Sequence, residues 1–397
     1  MRATVPRRSV TAFPSSLAGI RRFPAPAGTR DRLAGDFRRR LGCPGARFTS
    51  SGREGLEVLL RLSRDLVAPR AYVPTLTIEA VPDIVRRAGF EVLPLDIDPE
   101  TLSLTPDLLR RAYRGPGIAL VTHYFGLPAD MPALLPVAQE LGLDLLEDCA
   151  HAPLATVAGQ PVGTFGLGGF FSFESRKPLN ALGGGLAFSR DVRIASRLAD
   201  LPLPAPSAFQ DARKLAYTAA EALAWSRPCF RWIAPLLHQD RGRRMFVAIY
   251  RRMHAASRSP AAGFSDLQAL LLESQVPTLE VRTRRRADLA RRYRAGLPST
   301  WILPLDLPDR PHLWYMFVVR HPRARDLGRF LRREGIDCGI GPEVLPLCGD
   351  PERTPGSREV VETALELPMH DALRAEDVDR VCEVAARFHG SRGPRTR

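Results

Sequence analysis

Short apolar runs alternate with helical patterns from about residue 48 to residue 190. Apolar residues recur at helical spacing between the runs, and one helix is expected to begin at Thr105-Pro106, a polar cap followed by proline. Strands that alternate with helices are typical of βαβ units, so this region predicts an α/β domain with a mostly parallel sheet. The runs that predict its strands are 71–73, 91–95, 118–122 and 143–146.

The carboxyl ends of these strands are where a ligand site is expected. In parallel sheets, ligands bind in the crevice beyond those ends. Asp96, His123 and Asp148 each stand at or just past the end of an apolar run. The pattern therefore places the three side chains at the functional edge of the sheet.

The pattern changes twice after the predicted sheet. From about 200 to 260, prolines open a segment in which aromatic residues and arginines interleave, which predicts an added helical hairpin or a binding surface. Farther on, 314–319 predicts a strand, a helix ends at Glu334-Gly335, and the last helix has an apolar face from Val378 to Phe388. We therefore divide the chain into a basic N-terminal arm, a large domain, and a connecting helix with a smaller C-terminal α/β domain. The boundaries are 1–47, 48–260 and 261–397.

Charge is unevenly distributed over the 397 residues. The net charge is +14, and the arginine-rich stretches 1–47, 227–258 and 387–397 exceed that total, so the rest of the chain is mildly acidic. No zinc spacing or RNA-binding signature accompanies these stretches, and we expect no nucleic-acid partner. The aromatic residues among the arginines of 225–258 would suit a peripheral contact with a membrane surface, although core packing explains them as well.

The six cysteines are scattered, and no two form a C-x-x-C pair. This spacing is not typical of a disulfide framework or a structural zinc site, so we expect no metal. The basic start of the chain is broken by Pro6 and Pro14 and lacks a continuous apolar segment, so no signal peptide is predicted. A cytoplasmic location fits these features.

Only two of the 57 basic residues are lysines. An arginine stays protonated in proteins, whereas a lysine amine can lose its proton and attack an aldehyde to form a Schiff base. Lys177 ends the motif that begins at Ser172, and three glycines follow at 183–185. Lys214 stands in a polar stretch and is expected on the solvated surface. Lys177 is therefore the candidate for Schiff-base chemistry.

The neighbouring motifs supply what a pyridoxal phosphate site needs, namely an amine, an anion for the pyridine nitrogen, a group near the ring hydroxyl and a phosphate cup. Asp148 ends a buried strand, and His151 could reach the ring or its hydroxyl. The stretch 51–56 predicts a helix start whose amides would hold a phosphate, and Ser172 adds a hydroxyl. Taken alone, Asp148 could be a loop cap and His151 a structural residue. The four parts together, in this order, favour the cofactor site.

These motifs resemble the DegT/DnrJ/EryC1/StrS family of pyridoxal-phosphate sugar aminotransferases, within the fold type I aminotransferase superfamily. The similarity runs from about Leu41 to Phe388 and implies a fold type I PLP-transferase that forms a homodimer with shared active sites. It implies that Lys177, Asp148 and His151 are catalytic. The implied cofactor contacts are Gly52, Arg53, Ile78, Asp148, His151, Ser172 and Lys177. The segments that carry the resemblance are 51–56, 74–77, 95–99, 123–131, 147–152, 172–177, 183–185, 266–269 and 365–370.

Several positions depart from the family's usual pattern. Ile78 stands where an aromatic residue usually stacks on the cofactor, and Arg53 where a small hydroxyl residue is common. The stretch 261–263, Ala-Ala-Gly, replaces an Asn-Tyr-Arg whose asparagine reaches the phosphate in the partner subunit. Gly184 replaces an acidic residue, and a histidine often found near Gly341 is absent. These changes concern substrate and subunit contacts more than the cofactor itself.

The resemblance implies transfer of an amino group from an amino acid, expected to be L-glutamate, to a keto-sugar, expected to be nucleotide-linked. Such a reaction belongs to polysaccharide or secondary-metabolite biosynthesis. The related sugar dehydratases have histidine at the position of Lys177, which favours transamination here. Two alternatives stay open. The acceptor is instead a cyclitol or another ketone, or the chain is an inactive paralogue with a binding or regulatory role, which Ile78 and Ala261 would suit.

Overall fold

The structure, a computed structural model, describes residues 4–9, 25–202, 205–237, 245 and 263–388. Its main element is a seven-stranded sheet. The strands of this sheet are β1 (Gly45–Thr49), β2 (Arg70–Pro74), β3 (Glu91–Leu95), β4 (Gly117–Thr122), β5 (Leu143–Asp148), β8 (Gly168–Ser172) and β9 (Gly185–Ser189), and a separate short hairpin consists of β6 (Thr156–Val157) and β7 (Gln160–Pro161). The order across the sheet is β1-β9-β8-β5-β4-β2-β3. Only β9 runs against its neighbours β1 and β8, so the predicted mostly parallel sheet is confirmed.

Helices alternate with the strands along the chain. They are α1 (Thr29–Leu41), α2 (Gly52–Ser63), α3 (Ala80–Arg87), α4 (Pro106–Ala112), α5 (Met131–Glu140), α6 (Val192–Asp200), α7 (Ala208–Ala224), α8 (Arg227–Leu237), α9 (Asp266–Gln275), α10 (Leu279–Gly296), α11 (Ala324–Arg333), α12 (Pro355–Thr363) and α13 (Ala375–Phe388). The predicted start of α4 is confirmed, because the Thr105 side chain accepts a hydrogen bond from the Leu108 amide.

Both faces of the sheet are covered, because successive residues of a strand point to opposite sides. Ala71 and Val73 pack in one apolar cluster with α2 and α3, whereas Tyr72 packs in another with α4 and α5. A strand that is buried on both faces needs apolar residues at nearly every position. This explains why the central strands appear in the sequence as short continuous apolar runs.

The stretch predicted as a basic N-terminal arm, 1–47, contains folded elements of both domains. Leu33 and Phe37 of α1 are buried in the core of the large domain, and β1 pairs with β9 in the sheet. Val5 instead forms a β-bridge with Ile336 of the C-terminal domain. The predicted boundary at residue 47 therefore falls inside a strand of the large domain.

The C-terminal domain contains a three-stranded antiparallel sheet that is covered by α10, α11 and α13. Its strands, in the order β10-β12-β11, are β10 (Phe317–Arg320), β11 (Gly339–Ile340) and β12 (Ala364–Leu367). The strand predicted over 314–319 therefore starts later than expected. Trp314 has a φ of 52° and its ring stacks on His312 at 4.1 Å, so these residues form a turn that leads into β10.

Helices α7 and α8 form the helical hairpin that the sequence predicts between the two domains. Trp225 and Phe230 are buried and stack at 5.2 Å, so these aromatic residues serve core packing. Trp232 is 63% exposed. Most of the remaining stretch proposed for a membrane contact, 238–258, lies outside the described residues. In the described part of the chain, no helix combines the length and the apolar character needed to cross a membrane.

Candidate active site

One pocket, with a volume of about 170 Å³, lies at the carboxyl ends of the parallel strands. Asp148 is the last residue of β5, Ser172 is the last residue of β8, and Gly52 begins the helix that follows β1. The topology thus gathers side chains that are more than a hundred residues apart in sequence. All seven residues proposed from the sequence line this pocket, namely Gly52, Arg53, Ile78, Asp148, His151, Ser172 and Lys177.

The amino end of α2 forms one wall of the pocket. The Ser51 side chain accepts the Glu54 amide at 3.2 Å, and the Glu54 carboxylate accepts the Ser50 amide at 2.5 Å, so this end of the helix is capped from both sides. The amides of Gly52 and Arg53 occupy the first turn, where the helix dipole attracts an anion.

Close backbone packing brings α2 this near to the strands. A Cβ atom on Gly52 would stand 2.8 Å from the Ser172 Cβ, and a Cβ atom on Gly185 would stand 2.7 Å from the Gly52 nitrogen. Neither position has room for a side chain. Gly184 is equally restricted, with a φ of 92° and Phe264 only 2.6 Å from a built Cβ, which explains why glycine stands where related chains have an acidic residue.

Asp148 places a half-buried carboxylate at the end of β5. One oxygen accepts the Ala150 amide at 3.0 Å, and the side chain forms no ion pair with any other residue that the structure describes. Burial raises the pKa of this carboxyl, and the Ala150 amide, Lys177 and His123 oppose that rise. The site therefore holds an acceptor whose ionised form requires a cation beside it.

His151 is neutral in this pocket. Its Nδ1 accepts the Phe125 amide at 3.2 Å, which leaves the proton on Nε2. Burial lowers the pKa of His151 well below its ordinary value of 6.5, and the charges of Lys177 and Arg8 lower it further. The imidazole can thus donate one hydrogen bond into the pocket without carrying a charge.

Tyr315 is a functional candidate that the sequence analysis missed. The Lys177 Nζ lies 5.3 Å from the centre of the Tyr315 ring, and the same ring contacts His151 with a centroid distance of 4.8 Å. Tyr315 comes from the turn before β10, so the C-terminal domain contributes a side chain beside the lysine. In the sequence this place is only an apolar run, which predicts a strand.

Two other side chains proposed for the functional edge serve the fold instead. Asp96 accepts hydrogen bonds from the amides of Gly356 and Ser357, which fixes the start of α12. His123 is fully buried, with Nε2 at 3.1 Å from Glu147 and Nδ1 accepting the Ala129 amide. Neither residue lines the pocket.

Lys214 corrects a second expectation, since it is buried and not on the solvated surface. Its side chain is 7% exposed, and Nζ donates to the Gln268 Oε1 at 3.3 Å. Gln268 in turn donates to the carbonyls of Ala181 and Gly183 in the glycine-rich loop. The short polar stretch around Lys214 lies in α7, and Lys214 is on the side of that helix that meets Gln268 of α9. Lys214 is not part of the pocket lining.

The two neighbouring positions 261 and 262, which replace the family's usual Asn-Tyr, lie outside the described residues. The adjacent Gly263 is buried and its amide donates to the Ala205 carbonyl at 3.1 Å.

Comparisons with known proteins agree with this arrangement. The model of the DegT/DnrJ/EryC1/StrS aminotransferase family matches residues 28–218 and 260–385. A UDP-N-acetyl-3-dehydro-alpha-D-glucosamine 3-aminotransferase from Acidithiobacillus ferrooxidans is 27% identical over 357 residues, which cover 86% of this chain and 84% of that protein. The stretch 219–259, which includes the end of α7 and all of α8, lies between the two matched parts.

Solved structures share the fold at low sequence identity. The aminotransferase TlmJ from Streptoalloteichus hindustanus superposes with a TM-score of 0.73 and 24% identity, covering 98% of this chain and 99% of TlmJ. The PLP form of the sugar aminotransferase Spr1654 from Streptococcus pneumoniae gives a TM-score of 0.73 and 18% identity, covering 97% of this chain and 99% of that one.

Proposed function

We propose, from the premise that this chain belongs to the DegT/DnrJ/EryC1/StrS aminotransferase family, that it transfers an amino group from an amino acid to a nucleotide-linked keto-sugar. The protein is an aminotransferase with the fold of type I PLP enzymes, and its cofactor is pyridoxal phosphate. The donor, the acceptor and the residue roles given below are our proposal. L-Glutamate is the donor we propose, and polysaccharide or secondary-metabolite synthesis is the setting.

One observation carries the proposal. Lys177 lines the same pocket as the Asp148 carboxylate, which forms no ion pair with any residue in the described ranges, and the amino end of α2. Pyridoxal phosphate has an aldehyde, a pyridine nitrogen that gains a proton, and a phosphate dianion. The donor set of the pocket matches these three groups, because it offers an amine, an anion and a row of amides beside the Ser172 hydroxyl.

Lys177 would hold the cofactor covalently and release it to the incoming amino acid. The Lys177 amine would then be the base that takes up and returns the substrate's proton. When bound, the cofactor supplies the electron sink that makes this proton removable. The net exchange needs no outside oxidant, because the amino acid leaves as its keto acid and the ketone leaves as an amine.

Asp148 and His151 would hold the ring from two sides. The Asp148 carboxylate would pair with the protonated pyridine nitrogen, whose positive charge would favour the ionised carboxylate. His151, neutral with its proton on Nε2, would donate toward the ring or its hydroxyl. Gly52, Arg53 and Ser172 would bind the phosphate, and Ile78, at 41% exposure, would cover the open face of the ring.

The acceptor class is proposed from the relative in Acidithiobacillus ferrooxidans, whose name specifies a UDP-linked 3-keto-sugar. Its alignment covers 86% of this chain. The segments that the family model matches include every residue proposed for the cofactor. The pocket would hold the cofactor, and the acceptor would approach it from the mouth with its nucleotide extending outward.

The test begins with covalent attachment of the cofactor. Purified protein with pyridoxal phosphate should show the visible absorbance of the attached form, and borohydride reduction should fix the cofactor on Lys177 in a mass spectrum. Lys177→Arg should abolish the attachment, because a guanidinium neither condenses with the aldehyde nor acts as a base. Lys214→Arg, the matched change at the other lysine, should retain it.

The acceptor is then identified by absorbance in two half-reactions. L-Glutamate should convert the bound cofactor to its amine form, and a UDP-linked 3-keto-sugar should convert it back. If a cyclitol ketone converts the amine form of the cofactor back and nucleotide-linked sugars do not, the cyclitol ketone would replace the proposed acceptor. Attachment that survives in Lys177→Arg, or no attachment in the unchanged protein, would overturn the proposed roles.

A further inference from the structure

The carboxylate of Glu221 on α7 is buried against the loop that carries Lys177. Its side chain is only 3% exposed, although α7 is an outer helix of the large domain. Glu221 also lies in the stretch 219–259, which the family model does not match. A buried carboxylate calls for a partner, and two are present.

The two oxygens of Glu221 bind the two residues that directly precede Lys177. The Ser175 Oγ donates to one oxygen at 2.6 Å, and the Arg176 Nε donates to the other at 2.7 Å. The Lys177 amide closes a turn by donating to the Glu174 carbonyl at 2.9 Å. One side chain from α7 therefore clamps the turn from which the Lys177 side chain enters the pocket.

The helical hairpin that carries Glu221 is held in place by further contacts. The Arg176 guanidinium lies 5.3 Å from the ring of Trp225, which is itself stacked on Phe230. Arg227, at the start of α8, forms an ion pair with Asp377 of α13. The hairpin that holds the lysine turn is thus tied to the C-terminal domain. Side chains on packed helices hold a functional group in place more accurately than a free loop does.

We propose that Glu221 is a positioning residue for Lys177, which fixes the turn 174–177 so that the lysine amine meets the cofactor's aldehyde. This inference rests on the proposed covalent attachment at Lys177. Glu221 does not line the pocket and touches no reacting atom, so it acts only through Ser175 and Arg176. Its loss would leave Arg176 without its buried counter-charge and let the turn shift.

Two related ligands distinguish a defect in the position of Lys177 from a general loss of affinity in the pocket. Pyridoxal phosphate binds with covalent attachment, whereas pyridoxine phosphate has an alcohol in place of the aldehyde and binds without it. In Glu221→Ala, we expect the dissociation constant of pyridoxal phosphate to rise by about tenfold or more, because two buried hydrogen bonds to a charged group are lost. Pyridoxine phosphate should stay within about threefold of the unchanged protein.

Two further variants define the role of the carboxylate. Glu221→Gln can still accept a hydrogen bond from Ser175. Its dissociation constant for pyridoxal phosphate should lie between those of the alanine variant and the unchanged protein. Glu280→Gln removes the carboxylate of an exposed glutamate–arginine pair on α10 and should change neither dissociation constant. A double-mutant cycle between Glu221→Ala and the pair Ser175→Ala/Arg176→Ala should be strongly non-additive, since both remove the same contacts.

An equal rise in the dissociation constants of both ligands in Glu221→Ala would overturn the inference. An unchanged dissociation constant of pyridoxal phosphate would overturn it as well. If Glu221→Ala does not fold, the same comparison of the two ligands in Ser175→Ala and Glu221→Gln decides, with the same outcomes. If the unchanged protein does not attach pyridoxal phosphate, the proposed function is wrong. If it does and Glu221→Ala attaches equally tightly, only the positioning role is wrong.

Discussion

Asp148 is an ionisable group whose setting opposes the stability of the protein without its cofactor. Burial raises the pKa of its carboxyl above the ordinary 3.8 in the folded state. The folded state then holds the proton to a higher pH than the unfolded state, so this residue's contribution to stability falls as the pH rises above about 3.8. The same carboxylate is the proposed partner of the pyridine nitrogen, so function and stability conflict here.

Replacing Asp148 with asparagine should therefore stabilise the cofactor-free protein at pH 7 by roughly 1 kcal/mol. The dissociation constant of pyridoxal phosphate should rise about tenfold or more, because the amide has no charge for the pyridine nitrogen. Urea unfolding and an absorbance titration measure the two effects. Asp65→Asn, at a 79% exposed side chain, is the control. A less stable Asp148→Asn protein would contradict the argument from burial.

Arg53 lines the pocket at the first turn of α2, where related chains commonly have a small hydroxyl residue. If its guanidinium contacts the phosphate, Arg53→Ala should raise the cofactor dissociation constant about ten- to a hundredfold. This contact would make up for the asparagine that Ala261 replaces. Arg61→Ala, on the same helix but paired with Glu57, should leave the constant unchanged. A rise below about threefold would mean that only the Arg53 amide takes part.

At the scale of elements, Gly185 controls how closely α2 approaches the sheet. A methyl group there would stand 2.7 Å from the Gly52 nitrogen and 2.8 Å from the Phe171 oxygen. Gly185→Ala should lower the free energy of unfolding by about 1–3 kcal/mol and weaken phosphate binding, because backbone atoms must move apart. Gly35→Ala, inside α1 with only arginine side-chain ends nearby, should instead stabilise by about 0.5–1 kcal/mol. Chemical denaturation compares the two, and equal stabilities would contradict the predicted crowding.

The elements that the sequence predicts well are those whose own pattern encodes burial. The sequence predicts β2, β4 and β5 because both of their faces are covered, and it predicts α4 because Thr105 caps it. The start of β10 was placed too early, since an apolar residue such as Trp314 fits a buried turn as well as a strand.

In the candidate site too, local motifs predict some residues, whereas others depend on contacts between segments that are distant in sequence. The motifs and residue types of Lys177, Asp148 and His151 point to one chemistry, and the three residues line one pocket. Tyr315 and Glu221 were missed, because each reaches the lysine through contacts between segments that are far apart in sequence. Periodicity indicates that a residue is buried, but it does not indicate which partner it meets.

At the scale of the whole molecule, histidines that stay neutral in the folded state make the free energy of unfolding depend on pH. Burial lowers the pKa of His312 to about 3 and of His370 to about 4, and it lowers the pKa of His151 well below 6.5. The unfolded chain binds these protons near pH 6.5 and the folded chain does not, so stability should fall as the pH drops from about 6.5. Each histidine contributes up to about 1.4 kcal/mol per pH unit.

Urea unfolding at pH 7.0 and 5.0 measures this dependence. His312→Asn should reduce the change in the free energy of unfolding between these two pH values by the contribution of one histidine. His370→Asn should do the same. Stability that does not change over this range would show that these side chains gain protons in the folded protein.

We predict a homodimer, in which a second copy completes the mouth of the pocket. Ile78 lies in the pocket and yet is 41% exposed, and Val192, Phe209 and Leu223 are exposed apolar side chains elsewhere on the large domain. Light scattering should give twice the mass of the 43.9 kDa chain at working concentration. A monomer with full activity would contradict shared active sites.

The docking of residues 4–9 on the C-terminal domain has a consequence for the order of folding during synthesis. Arg8 pairs with Glu366, which is 358 residues farther along the chain. At about 5–20 residues per second, a ribosome takes roughly 20–70 s to make that distance. Residues 4–9 therefore leave the ribosome well before their partner on β12 has been made, and a chaperone has that interval in which to hold them.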